Sequence, residues 1–222
     1  MTFRLNVYSP KGGSTKSTLA IHIASRLALD GRRVLLVDAD PQGSALTWAW
    51  MAEQVRAADN AGPLPFVVGR GAASGFDYVI TDHSPAELAV LPSADLFVVP
   101  VCLDGMSLAP GLRTLKKLRD AGHAPLIVAS KVRKDRSEHR QALLHPDLAG
   151  ALIVADRAHL ANFFSTGRTV YDPAHGRDRA VALARAEIDA VVNAVQERLE
   201  PTIDLAWVKP TSTAGQEVRH GS

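Results

Sequence analysis

The sequence contains one cysteine in 222 residues, and this scarcity excludes several kinds of chemistry. Cys102 has no partner within the chain, so no internal disulfide can form. His139 and His145 do not belong to a set of cysteines and histidines with zinc-site spacing. The chain also has no apolar run of about 18 residues and no signal-peptide pattern, so we expect a soluble, cytoplasmic protein.

A large excess of either charge is also lacking, because 25 lysines and arginines oppose 23 aspartates and glutamates, for a net charge of +2. The basic residues are nevertheless clustered, since residues 113–140 hold nine of them and three acidic ones. Such a segment is either a solvated surface or a patch for DNA phosphates, which would bind without reading base sequence. No recognition-helix or zinc-finger pattern is present, so base-specific reading is not expected. The candidate phosphate contacts are Lys131, Arg133, Lys134 and Arg136, extended by Arg177, Arg179 and Arg185.

Apolar runs of strand length alternate with helical patterns along most of the chain. Nearly continuous apolar strands separated by helices predict an α/β fold with a doubly wound, mostly parallel sheet flanked by helices. We predict strands at residues 3–8, 33–37, 66–68, 77–81, 95–101, 126–129 and 151–154, and helices at 16–29, 44–58, 107–121 and 178–199. Residues 1–200 are expected to form one domain, and residues 201–222, which are polar and aperiodic, a flexible C-terminal tail.

Residues 9–18 read Ser-Pro-Lys-Gly-Gly-Ser-Thr-Lys-Ser-Thr, between the first strand and the first helix. Small residues let backbone N–H groups surround phosphate oxygens, and the helix N-terminus adds partial positive charge. Lys16 can reach the β- and γ-phosphates, and the Ser17 hydroxyl can hold Mg²⁺. The layout is that of a phosphate-binding loop, and the second lysine, Lys11, indicates a cation directed at something other than the loop's own phosphates.

The loop departs from the usual phosphate-binding pattern at two positions, where Pro10 and Thr15 replace glycine. A β-branched residue tolerates a positive φ poorly, so we expect Thr15 to have an ordinary backbone conformation or to be strained. Taken alone, the segment is also compatible with a simple glycine turn between a strand and a helix.

Carboxylates follow two of the predicted strands directly. Asp38 and Asp40 end the second strand, and Asp82 ends the strand at 77–81. A single aspartate in this position is usually a turn former or a helix cap. Two such ends beside a phosphate loop instead favour a site that holds Mg²⁺ or orients an attacking water at the carboxyl edge of the sheet.

In combination, these motifs resemble the ParA/MinD family of deviant Walker A ATPases, which are P-loop NTPases. The matching residues are Lys11-Gly12-Gly13, Lys16-Ser17-Thr18, Asp38-x-Asp40-Pro41-Gln42-Gly43, Asp82-x-x-Pro85 and Val99-Pro100-Val101, in the family's order over roughly residues 3–200. The short chain, which has no DNA-binding extension before the first strand, is most similar to the small plasmid-partition ParA type.

The resemblance implies roles for individual residues. Lys11 matches the signature lysine that reaches the nucleotide of the partner subunit, and Lys16 matches the phosphate lysine. Asp40 matches the carboxylate that acts on the attacking water, so the implied catalytic residues are Lys11, Lys16 and Asp40. Ser17, Asp40 and Asp82 match the Mg²⁺ site. Further nucleotide contacts are implied for Gly12, Gly13, Ser14, Thr15, Ser17, Thr18, Pro100 and Lys131, with residues 100–107 walling the adenine pocket.

The resemblance also implies a function, namely an ATP-dependent switch. With ATP and Mg²⁺ bound, it would form a homodimer that binds nonspecific DNA on the nucleoid and positions or segregates DNA cargo. A cargo- or centromere-bound adaptor would stimulate weak ATP hydrolysis, which Thr15 is expected to slow further.

Two alternatives remain open. A MinD-like ATPase that cycles on membranes would need a basic amphipathic helix in residues 201–222, which two prolines and scattered apolar residues disfavour, so no membrane partner is expected. A nucleotide-binding scaffold with little hydrolysis, acting in cargo positioning or conjugation, is the other.

Overall fold

The structure is a computed structural model that describes residues 1–71, 74–86 and 90–200, and in these residues seven strands form one parallel sheet. The strands are β1 (Phe3–Val7), β2 (Val34–Asp38), β3 (Val67–Gly69), β4 (Tyr78–Asp82), β5 (Leu96–Cys102), β6 (Leu126–Val132) and β7 (Leu152–Ala155). The helices are α1 (Lys16–Leu29), α2 (Ser44–Ala58), α3 (Gly105–Asp120), α4 (Ser137–Ala142), α5 (Ala158–Thr166) and α6 (Arg179–Leu199). The predicted doubly wound parallel sheet is confirmed.

Side chains alternate between two hydrophobic cores, as a sheet covered on both faces requires. On β5, Val98 packs into a core with α1, α2, α5 and α6, whereas Phe97 and Val99 pack into a second core with α3 and α4. The first core is the larger, and it contains the buried apolar residues of α1 and α6. The two faces therefore have different helices, which decides where a ligand can enter.

The strand order β3-β2-β4-β1-β5-β6-β7 places β1 between β4 and β5. On one side of β1 the chain forms β2 and β3 and then returns to insert β4 beside β1, and after β4 it crosses to β5 on the other side. Connections leaving such a switch point in opposite directions open a crevice at the carboxyl edge of the sheet. The loop after β1, at residues 9–15, lies at this point.

The predicted boundaries are close to those observed, with one informative difference. The strands predicted at 33–37 and 77–81 each extend one residue further, to Asp38 and Asp82, which pair in register across β2 and β4. The two carboxylates are therefore fixed by the sheet itself and do not lie in loose turns. Helices α4 and α5 were not predicted, and the predicted tail at 201–222 lies outside the residues that the structure describes.

In the part of the chain that is described, no helix is both long enough and apolar enough to cross a membrane.

A close approach between α3 and β5 makes a glycine necessary. A Cβ atom on Gly111 would lie 2.7 Å from Val101 Cγ1 and 3.3 Å from Cγ2, in a fully packed core. We predict that Gly111→Ala lowers the free energy of unfolding by roughly 1–2 kcal/mol, because overpacking exceeds the gain of about 1 kcal/mol in helix propensity. Urea denaturation measures the change.

The matched control is Gly105→Ala at the start of the same helix, where an added Cβ meets nothing within 4 Å. This variant should be neutral or slightly stabilised. Equal stabilisation of both variants would contradict the packing of α3 on β5.

Candidate nucleotide site

The glycine-rich loop joins β1 to α1 through two residues in the left-handed region. Gly13 has a φ of 71°, and Thr15, the N-cap of α1, has φ 72° and ψ 19°. The second of the two conformations expected for Thr15, a strained one, is therefore observed, since a Cβ-branched residue pays a steric penalty at positive φ. The strain lies immediately before the helix N-terminus that would face a phosphate.

Lys16 is buried beneath the loop. Its Nζ donates a hydrogen bond to the Lys11 carbonyl oxygen at 3.1 Å, so the ammonium lies inside the curve of the loop. Burial lowers the pKa of Lys16, and the carboxylates of Asp82 and Asp40 oppose that shift. The loop thus encloses one positive charge.

Asp82 has no exposed surface, and neither carboxylate oxygen has a hydrogen-bond partner among the described residues. Burial raises its pKa to about 6, against the smaller opposing effects of the Ser17 hydroxyl and the Lys16 ammonium. An unpartnered buried carboxylate is costly, and oxygen atoms of this kind are preferred ligands of Mg²⁺. The donor set around Ser17 and Asp82 therefore fits a hard divalent cation.

The two aspartates at the carboxyl end of β2 form different contacts. Asp38 accepts hydrogen bonds from the Asp40 N–H at 3.1 Å and the Leu46 N–H at 3.0 Å, so its carboxylate fixes the turn into α2. Asp40 accepts one bond, from the Gln42 N–H at 3.0 Å, and lines the cavity. The structure therefore leaves Asp40, and not Asp38, with lone pairs available to a ligand or a water.

A cavity of about 360 Å³ begins at the glycine-rich loop and extends over the carboxyl ends of β6 and β7. One end is formed by the loop and the start of α1, together with Asp40 and Pro85. The other end lies about 14 Å away, because β1 and β7 are three strand spacings apart. Its lining residues are Lys131, Val154, Ala155, Asp156, Arg157, Leu160, Ala161 and Ile188.

Pro100 and the segment at 100–107 do not line this cavity, contrary to the expected adenine wall. Pro100 is buried within β5, and the chain after it enters α3 on the opposite face of the sheet. The far wall is instead formed by the turn between β7 and α5. The carboxyl end of the strand predicted at 151–154 was the available signal for this turn, since ligands bind at that edge.

Lys131 reaches the cavity through an irregularity in β6. Its φ is 53°, and the register of β6 against β7 shifts between Ala129 and Val132. The same residue was also a candidate for DNA contact, and its side chain is exposed. Lys11 is half-buried and does not line the cavity of the single subunit.

The structure separates the basic residues proposed to contact DNA into engaged and free groups. Arg133 and Arg136 pair with Asp135 and Glu138, each at 3.3 Å, in exposed surface pairs. Arg185 donates to the Val170 carbonyl oxygen at 2.8 Å. Of the residues proposed to contact DNA, four are exposed and have no ion pair among the residues described, namely Lys131, Lys134, Arg177 and Arg179.

Comparison with known proteins gives a family match over residues 5–170, to the CobQ/CobB/MinD/ParA nucleotide binding domain. The protein "Maintenance of carboxysome distribution protein A" of Gloeobacter kilaueensis is 35% identical over 118 residues, 50% of this chain and 54% of that protein. Protein virC1 of Rhizobium rhizogenes is 26% identical over 192 residues, 81% of this chain and 79% of that protein. The chain thus spans about half the length of the first relative and most of the second.

Solved structures share the fold. A putative plasmid partition protein of Borrelia burgdorferi bound to AMPPNP has a TM-score of 0.64 at 14% identity, covering 88% of this chain and 100% of that one. The MinD cell division protein of Aquifex aeolicus has a TM-score of 0.64 at 18% identity, covering 86% and 98%. Because the family match covers well over half of a sequence that carries the expected motifs, the chain belongs to the CobQ/CobB/MinD/ParA nucleotide-binding domain family.

Proposed function

We propose that the protein is a partition-type ATPase, in which ATP occupies the cavity above β1 and switches the protein between two states. The observation that carries the proposal is a pair of buried charges, Lys16, which lines the phosphate end of the cavity, and Asp82, which interacts with it from the core. A structural glycine turn would have no reason to bury an unpaired carboxylate beside a lysine. The family relationship and neighbours bound to AMPPNP or ATP support the choice of nucleotide.

The residues at this end divide the work of phosphate binding and hydrolysis. Lys16 and the loop N–H groups neutralise phosphate oxygens, and Asp40 holds the attacking water. Ser17, Asp82 and Asp40 would hold Mg²⁺, which supplies charge neutralisation across the β- and γ-phosphates when bound. Relief of the buried Asp82 charge would then add to nucleotide affinity.

Lys11 is proposed to act between subunits. Its side chain does not line the cavity of its own subunit, while its carbonyl oxygen supports Lys16. A cation on the exposed side of the loop suits a second subunit that presents its own phosphates. ATP would therefore close a homodimer, and ADP would open it.

We propose that the dimer binds DNA through contacts between DNA phosphates and six basic residues, namely Lys131, Arg133, Lys134, Arg136, Arg177 and Arg179. The exposed position of all six side chains supports this assignment. A cargo-bound adaptor that stimulates hydrolysis is proposed by analogy with relatives named as chromosome-partitioning proteins. We place the protein in the cytoplasm, on the nucleoid.

The two loop lysines should have separable roles. Lys16→Ala is expected to weaken ATP affinity at least 100-fold, because it removes the cation paired with the phosphates. Lys11→Ala should leave ATP affinity within a few-fold and prevent the dimer, and Asp40→Ala should preserve an ATP-bound dimer. Calorimetry measures affinity, and light scattering with a nonhydrolysable ATP analogue measures mass. A Lys11→Ala protein that dimerises like wild type would exclude action across the interface.

Asp82 should make the nucleotide-free protein less stable as pH rises. Its folded-state pKa of about 6 exceeds the ordinary 3.8, so the folded state binds the proton more tightly and loses stability between about pH 4 and pH 6. Relative to wild type, Asp82→Asn should gain roughly 3 kcal/mol of unfolding free energy between pH 4 and 7. Urea titrations at both pH values test this, and identical pH profiles would contradict a buried, unpaired carboxylate.

Strain at Thr15 should slow catalysis without removing phosphate contacts. We predict weak basal hydrolysis in wild type, and an equal or higher rate in Thr15→Gly, because glycine adopts φ 72° without a Cβ clash. Thr15→Val, which keeps the branched Cβ and loses the hydroxyl, is the control and should resemble wild type. The rate of phosphate release is measured for all three proteins. A large fall in this rate in Thr15→Gly would show that the threonine has a positive role in catalysis.

DNA binding should depend on ATP and fall steeply with salt. Replacing Lys131, Arg133, Lys134 and Arg136 together should weaken binding to every duplex alike, and each lost contact should lower the log–log salt slope by about 0.9. The control is Arg33→Gln, an exposed arginine at the amino end of β2 that pairs with Asp77. If the salt slope of the quadruple variant equals that of wild type, these four residues do not contact DNA, and Arg177 and Arg179 become the candidates. Binding to anionic vesicles in place of DNA would favour the membrane-cycling alternative.

A further inference from the structure

The far end of the cavity contains one arginine that is held by a helix outside the nucleotide-binding loops. Arg157 lies at the start of α5 and lines the cavity. Glu187, in the middle of α6, accepts hydrogen bonds from Arg157 Nε at 2.9 Å and Nη2 at 2.6 Å. The two side chains are 24% and 20% exposed, so the pair is shielded from water more than a surface ion pair.

Glu187 also fixes the backbone of the same turn. Its Oε2 atom accepts a hydrogen bond from the Ala155 N–H at 3.0 Å, in addition to the bond from Arg157 Nε. One carboxylate therefore ties the end of β7 and the N-cap of α5 to α6. The bond from the Ala155 N–H fixes the position of this carboxylate, so that it can orient the Arg157 guanidinium.

The ion pair with Glu187 engages only one edge of the Arg157 guanidinium. Hydrogen bonds occupy the Nε–Nη2 edge of the guanidinium, and the Arg157 side chain has no other hydrogen bond among the described residues. Nη1 makes no hydrogen bond to a described residue, and Arg157 lines the cavity. Nearby, Val154, Leu160 and Ile188 are buried and provide an apolar surface without an aromatic ring. A planar guanidinium stacks well on an aromatic ring system.

We propose that Glu187 is a positioning residue that holds the Arg157 guanidinium flat against the base of the bound nucleotide. The inference rests on the proposed function, since it requires phosphates at the loop and the base at the β6–β7 end. It adds a contact that the sequence motifs do not contain, because Glu187 lies about 170 residues after the loop, on a helix of the opposite end of the chain.

The experiment compares ligands with and without a base. Kd values are measured by calorimetry for ATP, ADP and inorganic tripolyphosphate, each with Mg²⁺, on wild type, Glu187→Ala and Arg157→Ala. Both variants should bind ATP and ADP about tenfold more weakly, which corresponds to a cation–π contact of about 1.4 kcal/mol. Tripolyphosphate affinity should stay within twofold.

A purely structural role for Glu187 predicts a different result. Tripolyphosphate affinity would then fall together with ATP affinity, and this outcome, like unchanged ATP affinity, would overturn the proposal. The double variant should lose no more than either single variant, because both remove the same contact. In hydrolysis assays KM should rise about tenfold with kcat unchanged, as expected for uniform binding.

Two further variants keep the test decisive. Glu187→Gln keeps one acceptor oxygen and should show a smaller loss, and it replaces Glu187→Ala if that variant does not fold. Asp189 lies on α6 near Glu187 but does not line the cavity, and it pairs with Arg26 of α1. Asp189→Asn breaks this pair and should leave all three affinities unchanged. If Lys16→Ala binds ATP and tripolyphosphate as well as wild type, the phosphate site itself is wrong, independently of Glu187.

Discussion

A lysine and an aspartate are buried together at the carboxyl edge of the sheet, and the organisation of the site depends on them. Burial lowers the pKa of Lys16 and raises that of Asp82, and each charge partly compensates the other. Neither Asp82 oxygen is satisfied by a hydrogen bond within the described chain. The folded protein therefore keeps a polar, incompletely paired centre where an ordinary core would be apolar, and we propose that a phosphate ligand and a cation complete this centre.

The parallel sheet makes this arrangement possible. All strand ends meet at one edge, so Asp38, Asp82 and the loop after β1 come together although they are far apart in sequence. Asp38 is used to fix the turn into α2, which leaves Asp40 for the ligand. The crossing of the chain from β4 to β5 opens the crevice over β1. Helices α1, α5 and α6 pack on the same face of the sheet, and residues of all three line the cavity, which therefore extends toward β7. The positions of the two ends of the cavity thus follow from topology.

Much of this could be predicted from sequence, and the failures have physical causes. Helices α1 and α2 were predicted to the residue, because glycines and strand ends mark them on both sides. The phosphate end was predictable because its residues lie in short local motifs. The far wall of the cavity was not, because β7 and α5 are placed by packing against α6, and the pattern around Pro100 gives no information on which face α3 covers. Helix α5 has a glycine stop at Gly167, in the left-handed region, and this signal could have revealed it.

The central claim, that buried Asp82 and Lys16 form a Mg²⁺-dependent ATP site, is tested most directly by proton-linked calorimetry. Preformed Mg-ATP is titrated into wild type and Asp82→Asn at pH 6, in two buffers of different ionisation enthalpy. Because the Asp82 pKa is about 6, binding to wild type should release a fraction of a proton that the asparagine variant does not release. Equal affinity and equal proton release in the two proteins would contradict the account.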